Sequence, residues 1–293
     1  MRRSKDITIA YTPDSDDAFC YDALETGRVK LPGYRLRFQR GPMSTLNRAA
    51  LAGQFEVTAI SSVAYPLVAD RYAILSVGTS VGRGYGPVLI SRDEDTPSDL
   101  RGRRVGVPGI PTTGWFLLRC LCPGAEPVEM AFDEIGPAVA AGDLAAGVMI
   151  HEELLYYPRL GLKRVLDLGA AWCERYGFPL PVGLNVVRRD LGGPAMGRVC
   201  AAIRSSLAYA QAHPCEALAR VSRFGRGAEG GCTERFVAMF ANTDSLMMPF
   251  DVRAALRVLF CQVADLGIAP AVPRLDIVEG NRPELAAVAA EGR

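Results

Sequence analysis

Short apolar runs alternate with polar turns and amphipathic stretches through the first two thirds of the chain, and the last third is amphipathic throughout. Ile7-Thr8-Ile9-Ala10-Tyr11 has the pattern of a first strand. Thr12-Pro13-Asp14-Ser15-Asp16-Asp17 makes a turn, and Asp16 or Asp17 can cap a helix over 18–25. The same logic predicts strands over 34–39 and 57–62 around a helix over 43–51, then a helix over 64–69. Strands over 73–78 and 87–91 flank a glycine-rich loop. Further strands are predicted over 104–109, 128–132, 164–169 and 182–188, and one ends at Ile150. The helices between them fall at 110–118, 133–141 and 170–176, and 154–162 fits a loop or a helix. Helices over 194–212, 215–224, 233–241 and 249–266 carry apolar stripes near the helical period, and the tail at 284–292 fits helix or coil.

Strand–helix alternation of this kind builds an α/β fold. The polar connector at 95–102 and a fresh strand after it place a first crossing between two units near 93–101, with a return near 185–194. The expected architecture is a two-lobed clamshell. Its larger discontinuous lobe is 1–95 plus 190–293, and its smaller lobe is 96–189.

Composition narrows the function. Across 293 residues the formal net charge is +1, which supplies no electrostatic case for nucleic acid or an anionic membrane. No apolar run approaches a membrane span, and the apolar stretch after the basic start is too short for a secretory signal. A cytoplasmic protein is expected, with its eight scattered cysteines as free thiols. Cys120-Leu121-Cys122 lacks the converging partners of a zinc site, so no metal is expected. Pro87 occupies the last glycine place of a dinucleotide fingerprint in the loop at 82–87, and no phosphate loop occurs, so no cofactor is expected either. The oligomeric state, monomer or homodimer, is left open.

The candidate chemistry gathers at strand ends. There are two histidines, and His151 follows the apolar run Gly147-Val148-Met149-Ile150, at the carboxyl end of a strand where α/β proteins bind ligands. His213 sits at a helix end before a proline. His151 is therefore the candidate general base, the alternative being a buried histidine with one satisfied hydrogen bond. Thr112 and Thr113 open a helix after a glycine turn, a place suited to a carboxylate or to simple capping. Ile60, Ser61 and Ser62 end the third strand and complete the expected substrate-binding set, with capping again the alternative for the serines. Arg83 fits hinge bracing better than a ligand contact. Asp14 and Asp16 fit turn and cap roles, and Glu152 and Glu153 fit a solvated or hinge-facing position. The zinc-helix pattern fails because Leu155 stands at the second ligand place.

Several segments carry a resemblance: Ser80-Val81-Gly82-Arg83-Gly84-Tyr85-Gly86-Pro87, Val107-Pro108-Gly109-Ile110-Pro111-Thr112-Thr113, Ile150-His151-Glu152, Tyr157-Pro158-Arg159-Leu160-Gly161-Leu162, Asp167-Leu168-Gly169-Ala170 and Leu180-Pro181-Val182-Gly183. In this order they resemble the 1,4-dihydroxy-6-naphthoate synthase family of menaquinone biosynthesis through futalosine. The chain is more distantly similar to chorismate dehydratase and to two-lobed solute-binding proteins, which implies a clamshell of the type II periplasmic-binding-protein kind. The resemblance implies a cofactor-independent lyase acting on cyclic dehypoxanthinyl futalosine, a small-molecule carboxylate. It implies His151 as proton acceptor, and Thr112, Thr113 and Ser61 as substrate contacts. The chain departs from the family's usual Ser-Pro-Cys-Pro-Asn-Asp at 12–17, has Ala59 where a lysine is frequent, and has Pro111 for a polar residue. Fewer cations and more acids at the site weaken the attraction for an anionic ligand. The alternatives are a non-catalytic binding or sensing protein for a small carboxylate, and a paralogue acting on chorismate or another substrate.

Overall fold

β1 (Lys5–Tyr11), β2 (Tyr34–Arg40) and β3 (Val57–Ser61) alternate with α1 (Ser15–Glu25) and α2 (Met43–Leu51) in the computed structural model, which describes residues 5–93, 95–223 and 231–280. The basic start at 1–4, the end of the helix predicted over 215–224 and the tail at 284–292 lie outside the described residues. β4 (Tyr72–Leu75), β5 (Ser80–Gly82) and β6 (Val88–Ser91) follow, so part of the predicted glycine loop is strand. The helix expected over 64–69 is instead a 3-10 segment, Ser62–Leu67.

Then come β7 (Arg104–Val107), α3 (Thr113–Leu121), β8 (Glu126–Glu129), α4 (Phe132–Ala141), β9 (Ala146–Met149), α5 (Glu153–Tyr156), β10 (Lys163–Asp167) and α6 (Leu168–Tyr176). β11 (Leu180–Arg188) leads into α7 (Gly193–Ala212), α8 (Pro214–Val221), α9 (Cys232–Phe240), α10 (Thr243–Leu246), α11 (Phe250–Asp265) and β12 (Ile277–Val278).

Two sheets result. The first runs β12-β4-β11-β3-β1-β2, with β5 added on β11, and the second runs β10-β6-β9-β7-β8. β1 is parallel to β2 and β3, and β9 is parallel to β7 and antiparallel to β6. Both β3 and β9 are interior strands, and every residue of each is buried. That is why they read as unbroken apolar or small runs.

The chain leaves the first sheet between β5 and β6, at 83–87, and returns between β10 and β11, at 168–179. Both passages come earlier than the crossings expected near 93–101 and 185–194, so β6 and β11 fall on the opposite sides from those assigned by composition. The polar run that suggested the first crossing is a surface loop of the second unit. There Thr96 and Asp99 form a capping box around a 3-10 turn, Pro97–Leu100. The second was displaced because β11 is a long buried strand that already pairs with β3, β4 and β5. The two passages touch backbone to backbone. A Cβ on Gly169 would lie 2.2 Å from the Tyr85 carbonyl oxygen, and Leu168 N–H donates to the Pro87 carbonyl at 2.9 Å.

The core of the second unit joins Val88, Ile90, Ile135, Val139 and Met149 to Phe236 and Phe240 of α9. A late helix therefore closes the core of an earlier unit. Full burial of one such ring contributes roughly 1.5–3 kcal/mol.

Candidate active site

The ends of β1, β3 and β11 on one side, and of β9 with the start of α3 on the other, leave a cavity between the two sheets. It holds about 720 Å³ free of atoms, its open mouth included. Phe236 and Phe240 of α9 close part of it, and Pro87 and Pro108 add apolar wall.

His151 lines this cavity two residues beyond β9. Its φ of 55° lies in the left-handed region, which costs a side-chain-bearing residue on the order of 1–3 kcal/mol. Nδ1 of the ring stands 2.7 Å from Oδ2 of Asp14, whose side chain is 1% exposed. Phe132 packs edge-on against the imidazole, with ring centroids 4.9 Å apart. Burial pushes the imidazole pKa down, but the Asp14 carboxylate overrides it, by charge and by hydrogen bond. With Glu153 and Glu152 adding their charge, the pKa is lifted from 6.5 to about 9. The next residue, Glu152, accepts hydrogen bonds from the Ser15 amide at 3.1 Å and from the Ser15 hydroxyl. Two consecutive residues of the second unit are thus tied to two consecutive residues of the β1–α1 turn.

That turn brings further acids. Asp17 accepts from the Thr12 amide at 3.0 Å and from its hydroxyl at 2.7 Å, and Asp16 accepts from Ser80 Oγ at 3.1 Å. Burial, then the charges of Asp17, Asp14 and Glu152, holds the Asp16 carboxyl well above the usual range. Burial likewise lifts Asp17 to about 6 against the Thr12 hydrogen bonds. Among the described residues that line the cavity there is no lysine and no arginine.

Of the residues named from the sequence, His151, Thr112, Thr113, Ser61 and Ile60 share this cavity. Ser62 does not line it and is fully buried at the start of its 3-10 segment. Thr112 is the cap of α3: its hydroxyl accepts from Trp115 N–H at 3.3 Å and donates to the Gly109 carbonyl at 2.8 Å. Thr113 donates to the Val182 carbonyl at 2.6 Å. Both hydroxyl protons are spent on backbone carbonyls, so either oxygen in this arrangement can only accept from a ligand. Unpaired amides of the first helical turn, where Thr113 and Gly114 line the wall, are the donors left for an anion. Ser61 is held by Asn47, whose Oδ1 accepts from the Ser61 amide at 2.9 Å while Nδ2 donates to Ser61 Oγ at 3.1 Å. Asn47 Nδ2 also reaches the Pro111 carbonyl at 2.7 Å, linking α2 to the α3 side.

Arg83 is bound to Asp244 at 2.6 Å and Asp251 at 2.8 Å, which fits the bracing role. Two expectations are corrected. Asp14 occupies the cap position of α1 but makes no side-chain cap hydrogen bond, its carboxylate having turned to His151. Of the solvated and hinge-facing positions expected for Glu152 and Glu153, the solvated one fails: they are 2% and 5% exposed, and Glu152 is bonded to Ser15 of α1 across the cavity. Asn47, Glu152 and the two α9 phenylalanines were missed as site residues. The acids at 14–17 and 152–153 were the one local signal that pointed at the cavity, since each group adjoins a strand end.

A family model described as menaquinone biosynthesis matches residues 7–265. A curated protein of Thermus thermophilus named 1,4-dihydroxy-6-naphthoate synthase is 40% identical over 268 residues, covering 92% of this chain and 97% of its own. One of the same name from Streptomyces coelicolor is 34% identical over 273 residues, covering 91% and 95%. Among solved structures, an Archaeoglobus fulgidus protein superposes with a TM-score of 0.87 at 41% identity, covering 91% of this chain and 100% of its own. The periplasmic aliphatic sulphonate binding protein of Escherichia coli, at 11% identity, superposes with a TM-score of 0.66 over 98% of each chain. That last likeness bears on fold alone: the chain has the two-lobed fold of periplasmic binding proteins.

Proposed function

The chain belongs to the menaquinone-biosynthesis family, and from that premise we propose that it is a lyase converting cyclic dehypoxanthinyl futalosine to 1,4-dihydroxy-6-naphthoate, with His151 as general base. The observation that carries this reading is one cavity shared by His151, Ser61 and the start of α3. With Nδ1 engaged by Asp14, Nε2 is the ring nitrogen that takes the proton from the substrate as the carbon–carbon bond to the sugar-derived part breaks. The substrate carboxylate lies against the first-turn amides of α3, and the apolar walls hold the bicycle.

A base must be neutral to accept a proton. With a pKa near 9, only about one His151 in a hundred is neutral at pH 7, so turnover rises with pH toward 9. The test is mass-spectrometric detection of the naphthoate after incubating the purified protein with cyclic dehypoxanthinyl futalosine. His151→Ala should lower kcat at least about a hundredfold while substrate binding by calorimetry stays within a few-fold. No product from the unaltered protein, or undiminished turnover in the variant, rejects this function.

The acidic lining favours a second reading. A cavity with Asp16 and Asp17 in its wall, and His151 as its one basic side chain among the described lining residues, suits a less anionic ligand than the naphthoate precursor. That reading is a paralogue with another substrate, or a binding protein of the same fold. Offering chorismate in parallel and looking for loss of water, or for binding with no product, separates these outcomes.

A further inference from the structure

The β1–α1 turn supplies a second group to the candidate base. Asp14 is carried by the first sheet's side and His151 by the second's, and the pair spans the cavity between them with 2.7 Å from Oδ2 to Nδ1. We propose that Asp14 is a positioning residue for the reaction: it holds His151 through Nδ1, fixing the tautomer and orientation that leave Nε2 to the substrate. This rests on His151 being the base and assigns the group that sets it.

Three features support the assignment besides the distance. A carboxylate buried to 1% exposure costs several kcal/mol unless it is well paired, and Asp14 makes no cap bond to α1 that would account for its place. It sits instead at the amino end of an eleven-residue helix, where the helix dipole favours its charged form. Phe132 packs edge-on against the ring with centroids 4.9 Å apart, a contact that opposes the flip that would exchange the nitrogens.

The charged groups around the imidazole come from two segments. Asp14, Asp16 and Asp17 belong to the β1–α1 turn and first turn of α1, and Glu152 and Glu153 follow the ring in sequence. Asp14 alone combines charge with direct contact to the ring, Oδ2 to Nδ1 at 2.7 Å. When Nε2 takes a proton from the substrate, the neutral imidazole becomes imidazolium. The Nδ1 proton stays on the ring, and Asp14 stays ionised and compensates the new charge. No proton passes to Asp14, and no further reactant is required.

The test exploits the presence of only two histidines, so that His213 serves as an internal reference. Imidazole nitrogen NMR is recorded from pH 5 to 10 on the full chain, on Asp14→Asn and on Asp14→Ser, with circular dichroism to establish folding. In the unaltered protein His151 should remain charged to near pH 9 and carry its proton on Nδ1 once neutral. In either variant the midpoint should fall by about one pH unit or more, a tenfold loss of proton affinity, and the Nδ1 preference should weaken. The rising limb of the pH–rate profile should move down with it, and the kcat plateau should drop about tenfold or more while KM changes little. An unchanged midpoint and tautomer overturns the proposal. So does a lower plateau with an unmoved limb, the mark of a packing role. Because the NMR readout needs no substrate, failure of the base reading shows separately, as turnover retained in His151→Ala.

Discussion

His151 and Asp17 both tie the stability of the fold to pH, and in the same direction. The imidazole pKa is raised from 6.5 to about 9, so its contribution is complete below 6.5 and is lost as pH rises through 9. The Asp17 carboxyl is raised from 3.8 to about 6, which favours its neutral form, so that contribution is complete below 3.8 and is lost as pH rises through 6. Urea unfolding followed from pH 5 to 9 should therefore show stability falling with pH. Up to about 3 kcal/mol of the fall belongs to His151 between 6.5 and 9. A flat or rising curve in that window contradicts the Asp14–His151 pairing, and Asp14→Asn should flatten it. At this scale the sequence pointed to several of the residues that share the cavity. His151 was visible because an imidazole after an apolar run marks a strand's carboxyl end. Thr112 was legible as a cap or an anion contact because it opens an apolar helical stretch after a glycine turn, and its side chain does cap α3. Asp14 was read as a cap for the same local reason, and nothing nearby in the chain announces a partner brought in from the second sheet.

At the scale of elements, interior strands were legible and passages between sheets were not. β3 and β9 carry their burial in their composition. The passages at 83–87 and 168–179 are set by how closely two backbones can approach, a property shared between distant segments. Gly169 makes this testable. A Cβ there would meet the Tyr85 carbonyl oxygen at 2.2 Å and the Gly86 nitrogen at 2.4 Å, backbone atoms that cannot swing aside. Gly169→Ala should cost about 1–3 kcal/mol by urea unfolding, as overpacking does. Gly192→Ala, where φ is 79° and no atom lies within 4 Å of the added carbon, should cost only the conformational penalty of about 1 kcal/mol. Equal losses at the two positions would show that the close contact is not what Gly169 serves.

For the whole molecule, the two-sheet α/β plan follows from strand–helix alternation, but the allegiance of the late helices does not. An amphipathic stripe shows that α9 buries one face, and cannot show against which unit. Phe236 and Phe240 enter the core of the second unit and line the cavity at once. Phe236→Ala should destabilise by about 3–5 kcal/mol in urea. Limited proteolysis should then cut within 88–167 before it cuts the first sheet. Cleavage starting in β1 or β2 would place the ring's main contribution elsewhere.

The debt of the inserted unit to α9 has an effect in time. As the polypeptide emerges from the ribosome, Ile135 and Val139 must wait, incompletely covered, until the stretch bearing Phe236 and Phe240 has been translated. The second unit is born early and finished late, and its side of the cavity is completed only when α9 arrives.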